Sequence, residues 1–575
     1  MTKTWTKVLS LSTALAGAAM LSLDAQAQTP CQGATGPDVI VGDIQDVANY
    51  ASLNGVEALA LGTYSCNQGT QTLSWISNNN LHPVIGGNLY KYKVVNGSGR
   101  FEQLGMSWLK HGFFALSNNL CCTGCQATSG SSLGIRCADP YTAVRNGSQS
   151  GAGPKWQVNA STGVFTYPPA NPAFSGSTAR RLQVKITDLE ASSASVRYFG
   201  EAQYVTQDDA AAGNDNNNAS YRELTVTGSG TAWTFSLTAG QTTQREKPAI
   251  LAWQAIDPAV QIQYIDIPGD GRLILGWKVT EITPGTWHYE YALHNLNSDR
   301  SVQKFALPVG AAMLSNLGFR DVDYHSGDGI SNVTTSGTDW SVTNVAGTLA
   351  WATDTFAANS NANALRWGTL YNFRFDANTP PTNGNITLSP FKSGSDITVA
   401  AQVPQVASGG PITLVCDPGA AGVIACPCAN PALGPGQGCD NSSSTGGAML
   451  SAAGNASLSS DTVVVNAIGE KPTATSILLQ GDNLNATGTV FGQGIRCVAG
   501  SLKRLYVKNA VGGAVTMPGA GDPTITARAT ALGDTLAGGS IRYYGIYYRD
   551  PIVLGGCSAS STFNVTNQAS VTWNP

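Results

Sequence analysis

The chain has 575 residues, of which only 12% are charged, about half of the usual share. The formal net charge is −4 and no basic patch stands out, which argues against nucleic acid as a partner. The low charge, the 65 glycines and the strand-like apolar runs are typical of an all-β extracellular protein.

Residues 1–27 are predicted to be a secretory signal. Lys3 and Lys7 supply a positive start, residues 8–23 form a short apolar stretch, and Ala-Gln-Ala at 25–27 matches a small-x-small cleavage site. No other apolar run approaches the length of a membrane span. We therefore expect the mature chain to be exported, to lack a transmembrane segment, and to be secreted or held at the cell surface.

The twelve cysteines form two groups of six, with none between Cys137 and Cys416. In an exported chain an even number of cysteines favours disulfide bonds over thiolate metal sites. The equal division predicts two separately cross-linked regions, and the pairing within each group is left open.

Composition and patterning together predict an all-β fold with two or three β-sandwich-like domains, disulfide bonds and few short helices. We expect an N-terminal cysteine-containing β region at 28–175 and a β-sandwich region at 176–403. A cysteine-rich C-terminal β module is expected at 404–575, after a linker that contains Pro and Gly.

The first clear elements lie in the N-terminal region. Residues 89–94 alternate as in a strand, and Asn-Gly-Ser-Gly at 96–99 predicts a turn. His82 and His111 flank this hairpin-like unit, so their imidazoles are expected to be able to approach each other. Glu102 follows the turn and is one of two carboxylates considered as a general base.

Two further stretches precede the histidine-rich part of the chain. Residues 213–221 are rich in Asn and Asp and carry many oxygen ligands for calcium, although they lack the regular spacing of known calcium loops. A solvated Asn-rich loop is the alternative interpretation. Residues 247–255 carry the best helix pattern in the mature chain, with Pro248 suited to the first turn.

Residues 287–294 predict a strand on which side chains alternate between two faces. One face is expected to carry Trp287, Tyr289, Tyr291 and Leu293, and the other His288, Glu290, Ala292 and His294. His288 and Glu290 would then lie roughly 7 Å apart along one face, close enough to meet at one ion or one substrate group. Glu290 is the second carboxylate considered as a general base.

Asp321, Asp323 and His325 repeat this spacing and are predicted to share one strand face. Carboxylates at the end of a strand suit hard cations, whereas imidazole suits zinc, copper or iron. The alternative is a polar outer strand face that ends in an Asp-Gly turn.

Two parts of the chain resemble modules of secreted bacterial proteins. Residues 287–390, with Tyr-Glu-Tyr-Ala-Leu-His-Asn-Leu-Asn at 289–297 and Leu-Arg-Trp-Gly-Thr-Leu-Tyr-Asn-Phe at 365–373, resemble a β-sandwich module of surface proteins. Residues 404–575, with Cys-Pro-Cys at 426–428, resemble a cysteine-rich C-terminal accessory module. These resemblances imply an extracellular scaffold and no particular activity.

The first functional hypothesis is a binding or structural protein outside the cell. Its partners would be extracellular polysaccharide, another polymer or cell-surface components, held by exposed Trp and Tyr side chains. The sequence has no His-Glu-x-x-His helix, no P-loop and no convincing nucleotide fingerprint.

The alternative is a metal-dependent enzyme that acts on an extracellular polymer. Copper or zinc would be held by His82, His111, His288 and His325, with Asp323 as a further ligand and Glu102 or Glu290 as base. The ion would activate oxygen or water. A glycosidase would instead need two carboxyl groups roughly 5–10 Å apart across a cleft, and nothing in the sequence places a pair in this way.

Overall fold

The structure is a computed structural model that describes residues 33–112, 114–310, 312–345, 347–405, 411–420 and 422–575. The predicted secretory signal lies outside these ranges. The all-β prediction is confirmed, because antiparallel strands dominate the described residues and their α-helices have only four to seven residues. Within the described ranges, no helix combines the length and the hydropathy that a membrane crossing requires.

The first part of the chain forms two main sheets and one small one. Its elements are β1 (Val39–Leu53), β2 (Val56–Asn67), β3 (Leu73–Ser74), β4 (Val84–Val95), β5 (Ser98–Met106), β6 (Leu109–His111), β7 (Ser132–Leu133), β8 (Ala138–Tyr141), α1 (Ala143–Asn146), β9 (Ala152–Gly153), β10 (Leu182–Lys185), β11 (Val196–Val205), α2 (Gln207–Ala212), β12 (Ala219–Ser229) and β13 (Ala232–Leu237). A four-stranded sheet has the order β1-β2-β10, with β8 also on β2. A seven-stranded sheet has the order β13-β12-β11-β4-β6-β9, with β5 also on β4, and β3 pairs with β7.

The middle part forms a β-sandwich of two five-stranded sheets. Its elements are α3 (Leu251–Ile256), β14 (Gln261–Asp266), β15 (Arg272–Thr283), β16 (Thr286–Asn295), β17 (Val302–Pro308), β18 (Leu314–Arg320), β19 (Ser341–Val345), β20 (Thr348–Ala352), β21 (Thr369–Ala377), β22 (Pro381–Pro390) and β23 (Ile397–Pro404). The strand orders are β14-β15-β16-β21-β18 and β19-β20-β17-β22-β23. The predicted helix therefore exists as α3, although it begins at Leu251.

The C-terminal part forms one large and two small sheets. Its elements are β24 (Ile412–Cys416), β25 (Met449–Ala453), β26 (Val464–Ile468), β27 (Thr475–Gly481), β28 (Asn483–Phe491), β29 (Gly494–Ala499), β30 (Lys503–Asn509), β31 (Val515–Met517), α4 (Ile525–Ala531), β32 (Ser540–Arg549), β33 (Phe563–Val565) and β34 (Gln568–Trp573). The six-stranded sheet has the order β24-β34-β32-β27-β30, with β33 on β32, beside β25-β26-β31 and the pair β28-β29.

Four sheets of the first and middle parts share three hydrophobic cores. One core joins the four-stranded and seven-stranded sheets, through side chains such as Leu59 and Tyr198. A second joins the seven-stranded sheet to α3 and to the sheet β14-β15-β16-β21-β18, which we call the β14–β18 sheet, around Trp253. The third fills the β-sandwich, where the rings of Phe305 and Phe373 stack with centroids 4.2 Å apart. The β14–β18 sheet is thus covered on both faces.

Strand β16 shows how the alternating pattern produces this arrangement. Tyr289, Tyr291 and Leu293 belong to the sandwich core, whereas Ala292 belongs to the core beneath α3. The predicted division of the strand into two faces is confirmed. The face of β16 that carries His288 and Glu290 is turned towards the seven-stranded sheet. This packing explains why the Glu290 side chain is fully buried.

Strand pairing and the first core continue across residue 175. Strand β10 pairs with β2, and β11 pairs with β4, over residues on either side of this predicted boundary. The division of the chain at residues 175 and 403 stays a prediction.

The disulfide bonds follow the predicted grouping of the cysteines. In the described residues the pairs are Cys66–Cys121, Cys125–Cys137, Cys416–Cys497, Cys426–Cys439 and Cys428–Cys557. Cys122 is also disulfide-bonded. Each of these five pairs lies within one of the two groups, so the cross-links are local to the N-terminal or the C-terminal region.

The prediction that Asp321, Asp323 and His325 share a strand face is wrong. Strand β18 ends at Arg320, and residues 321–325 form an irregular segment. The carboxylate of Asp328 accepts a hydrogen bond from the backbone N–H of His325 at 2.6 Å, and a second one from Thr335. These bonds hold the chain in a loop rather than in the sheet ladder.

Candidate functional site

His82 and His111 form a buried imidazole pair, as expected. Nε2 of His82 lies 3.0 Å from Nδ1 of His111, and Nδ1 of His82 lies 2.9 Å from the carbonyl oxygen of Ile76. Burial, followed by the neighbouring His82 and Lys110, lowers the pKa of His111 to about 3. Burial also lowers the pKa of His82. Both rings are therefore neutral near pH 7.

His288 lies between two carboxylates at the side of β16 that faces the seven-stranded sheet. Its Nε2 is 3.1 Å from Glu290 Oε2, and its Nδ1 is 2.6 Å from Asp376 Oδ1. Burial alone would lower the pKa of His288, but the hydrogen bonds and charges of both carboxylates outweigh it and raise the pKa above 6.5. The expected meeting of His288 and Glu290 is confirmed.

The two carboxylates considered as bases are joined by arginine side chains. Arg100 Nε lies 3.0 Å from Glu290 Oε2 and 3.7 Å from Glu102 Oε1. Arg320 lies 3.9 Å from Glu102 and pairs with Asp188 at 2.8 Å. A general base must reach a substrate proton, and Glu290 has no exposed surface. This arrangement favours a role in holding β5 against β16, and catalysis by Glu102 or Glu290 stays a prediction.

The proposed metal ligands occupy separate environments. His82 and His111 contact each other, His288 contacts Glu290 and Asp376, and Asp323 forms an ion pair with Lys185 at 2.8 Å. No group of three or more His, Cys, Asp or Glu side chains in the described part of the chain is arranged to hold a metal ion. The copper or zinc site stays a prediction.

The Asn-rich loop proposed for calcium uses its oxygen atoms within the protein. Asp215 accepts hydrogen bonds from the Asn297 amide through its backbone carbonyl oxygen and, at 2.7 Å, through Oδ2. Asn218 donates to the buried carboxylate of Asp209. These contacts tie the loop to α2 and to the turn that follows β16, and calcium binding stays a prediction.

One of the proposed ligands, His325, instead lines a cleft of about 360 Å³ that we call the Trp108 cleft. The cleft lies between the β5–β6 connection, the segment that leads into β10, and the loop that follows β18. Its walls include Trp108, Phe174, Arg180, Gln183, His325 and Ser326. The backbone at Gly105 approaches β10 closely, because a Cβ there would lie 1.8 Å from the carbonyl oxygen of Gln183.

Within the Trp108 cleft, His325 has one ring nitrogen bound and one without a partner. Nε2 lies 2.7 Å from the backbone carbonyl oxygen of Met106, whereas Nδ1 is buried without a hydrogen-bonding partner in the described residues. Burial lowers the pKa of His325 to about 4, which outweighs the opposing effect of the Met106 carbonyl. The imidazole is therefore neutral at physiological pH.

Arg180 lies between two aromatic rings of the cleft. Its guanidinium carbon is 4.0 Å from the ring centre of Phe174 and 5.0 Å from that of Trp108. Its NH groups donate to the backbone carbonyls of Gln149, at 2.9 Å, and of Pro172. The backbone of Arg180 has φ +63°. This conformation is uncommon for residues other than glycine, and residues that adopt it cluster at functional sites.

Sequence reasoning selected His325 but missed Trp108, Phe174 and Arg180 as members of one site. These residues lie on irregular segments, so neither strand nor helix periodicity places them together. The adjacent arginines Arg180 and Arg181, in a chain with few charged residues, were the available signal.

Comparisons with known proteins do not assign this chain to a family. No protein-family model matches the sequence, and no functionally curated protein matches it either. One neighbour among solved structures is described as "Biofilm associated protein - BSP domain", with 9% identity, a TM-score of 0.10, and coverage of 94% of this chain and 81% of that chain.

Proposed function

We propose that the protein is exported and binds an extracellular polysaccharide in the Trp108 cleft. The observation that carries this proposal is the composition of the cleft, in which aromatic side chains lie beside a few polar groups that point to specific recognition. Its volume of about 360 Å³ falls at the lower end of the range of ligand pockets, roughly 300–1,000 Å³. Aromatic faces suit the apolar C–H surfaces of sugar rings.

The disulfide bonds support a location outside the cytoplasm. Five pairs occur in the described residues, in both the N-terminal and the C-terminal region, and disulfides persist mainly in oxidising compartments. The predicted secretory signal agrees with this location. A rigid array of cross-linked sheets at the cell surface would present the cleft to polymers in the surroundings.

The experiment compares polysaccharide binding by the exported chain with binding by two single variants. Phe174 is 46% exposed in the cleft, and Phe114 is 73% exposed on another loop, which makes Phe114→Ala a matched control. We expect Phe174→Ala to weaken binding by about tenfold or more, because it removes an aromatic contact worth about 1.5–3 kcal/mol when fully buried. Phe114→Ala should stay within about twofold of the unmodified chain, since Phe114 does not line the cleft.

Affinity electrophoresis against a panel of soluble neutral and acidic polysaccharides gives the measurement. Absence of binding to every member of the panel, or equal losses in the two variants, would reject the Trp108 cleft as a polysaccharide site.

A further inference from the structure

Arg180 is a buried cation for which no described residue supplies a counter-ion. Arg180 is only 4% exposed. Its terminal NH groups donate to neutral backbone carbonyls, and its Nε has no hydrogen-bonding partner in the described ranges. Burial is the cause of its lowered pKa, with no opposing carboxylate. A charge buried in this way is unfavourable unless something compensates it.

Two further cations, Lys110 and Arg181, lie near Arg180 but line a neighbouring cavity. Lys110 is 8% exposed and donates to the backbone carbonyl of Ser148 at 3.0 Å, and burial followed by the charge of Arg180 lowers its pKa to about 8. Arg181 lies with its guanidinium carbon 3.4 Å from the ring centre of Tyr50. Neither cation forms an ion pair within the part of the chain that the structure describes.

His325 supplies an acceptor to the same cleft. The carbonyl oxygen of Met106 can only accept a hydrogen bond, so Nε2 of His325 carries the proton. In the neutral ring Nδ1 is then an acceptor, and no described residue donates to it. A hydroxyl group of a ligand is the kind of donor that this position fits.

The indole of Trp108 connects these groups. The Arg180 guanidinium carbon lies 5.0 Å from its ring centre, and the His325 ring centre lies 6.4 Å away. The indole Nε1–H is itself a buried donor without a partner in the described ranges. Two donors and one acceptor therefore lack partners around a single aromatic ring.

We infer that the Trp108 cleft recognises an anionic sugar, one that carries a carboxylate or sulfate group beside free hydroxyls. This inference rests on the proposed function of the cleft as a polysaccharide site. On binding, these side chains shift so that their buried polar atoms reach the cleft. The anion then accepts from Arg180 Nε–H and Trp108 Nε1–H, and a hydroxyl donates to His325 Nδ1. The charge of the ligand compensates the guanidinium, for which the described residues supply hydrogen bonds and aromatic contacts but no carboxylate.

The direct test uses matched pairs of oligosaccharides that differ in charge. Oligogalacturonate is compared with its methyl ester, and oligosaccharides of carrageenan, which carry sulfate, with the same oligosaccharides after desulfation, by isothermal titration calorimetry of the exported chain. We expect the charged member of at least one pair to bind tenfold or more tightly, and the pair that responds identifies the acid. Equal affinity within both pairs would overturn the inference and leave the proposed function standing. No binding to any of the four would overturn the inference, whereas the proposed function is decided by the panel of polysaccharides.

Single variants then locate the recognition. In Arg180→Gln the preference for the charged sugar should fall from tenfold to less than twofold, whereas Arg181→Gln, the matched control outside the cleft lining, should keep it. His325→Phe should weaken the charged and the neutral member about equally, because it removes only the acceptor for a hydroxyl. A preserved preference in a folded Arg180→Gln variant would overturn the assignment. If this variant does not fold, the comparison of matched sugars on the unmodified chain decides.

Discussion

The five histidines differ in pKa because the groups around each buried ring differ. His288 is held by Glu290 and Asp376, which raise its pKa above 6.5 despite its burial. The rings of His325 and His111 have no carboxylate partner among the described residues, and burial lowers their pKa values to about 4 and 3. A single residue type thus supplies a cation in one network and neutral hydrogen-bonding groups in the others.

We therefore expect nitrogen-15 NMR of histidine-labelled protein to show His288 protonated at pH 5.5 while His325 and His111 remain neutral. The unfolded chain has a histidine pKa near 6.5, so the stability that protonated His288 contributes is fully present below that pH. It is lost as the pH rises through the raised pKa of the folded state. His288→Gln assigns the signal, and a His288 resonance that titrates below pH 6.5 would contradict the arrangement.

Some residue contacts could be predicted from the sequence because they depend only on spacing along one strand. His288 and Glu290 are two positions apart on β16, and alternation alone brings them to one face. The contacts of Asp376 with His288 and of Arg100 with Glu290 could not be predicted in this way, because the partners lie on different strands and no local pattern encodes their distance. The irregular path at 321–325 likewise depends on Asp328, which a strand pattern does not consider.

Strands β5 and β16 are joined by charged side chains inside the molecule. Arg100 on β5 bridges Glu102 on its own strand and Glu290 on β16, which lie on opposite sides of the contact between two sheets. The carboxylate of Glu290 is fully buried, and its Oε1 has no partner in the described residues. The ion pair with Arg100 therefore carries much of the compensation for the buried charge.

Replacement of Arg100 should destabilise the protein strongly. We expect Arg100→Ala to lower the free energy of unfolding by about 3–5 kcal/mol, because it removes a cation that lies 3.0 Å from the buried Glu290 carboxylate. Chemical denaturation at pH 7 gives the measurement.

Arg272→Ala is the matched control for this prediction. Arg272 pairs with Asp266 at 2.6 Å, but the Asp266 side chain is 66% exposed, so the loss should be about 0–1 kcal/mol. Similar losses in both variants would show that the β5–β16 contact does not depend on the buried charges.

The whole molecule combines features that the sequence shows with features that it does not. Short alternating runs and two groups of cysteines predicted an all-β, disulfide-linked chain, and the structure has both the antiparallel sheets and the disulfide bonds. The alternation could not show that the β14–β18 sheet is covered on both faces, because that depends on packing against α3 and the seven-stranded sheet. The Trp108 cleft arises from the same long-range packing, between segments that follow β5, precede β10 and follow β18.

Cross-links of different length should stabilise the C-terminal sheets to different degrees. Cys428–Cys557 joins residues 129 positions apart, whereas Cys426–Cys439 joins residues 13 positions apart in the same region. A longer closed loop removes more conformational entropy from the unfolded chain, and the estimated losses are about 5 and about 3 kcal/mol. We expect the double variant Cys428→Ser/Cys557→Ser to be less stable than Cys426→Ser/Cys439→Ser by about 2 kcal/mol.

Hydrogen exchange of the amides in β27 and β32 measures this difference in the full chain, because these strands pair within the six-stranded sheet. The free energy of opening of these amides should fall in both double variants, and further in the one that lacks the long cross-link. Amides of β4 and β11 serve as the internal reference, since their sheet belongs to the first part of the chain and should exchange as before. An equal loss in the two variants would mean that the Cys428–Cys557 bond acts through local contacts rather than by restricting the unfolded chain.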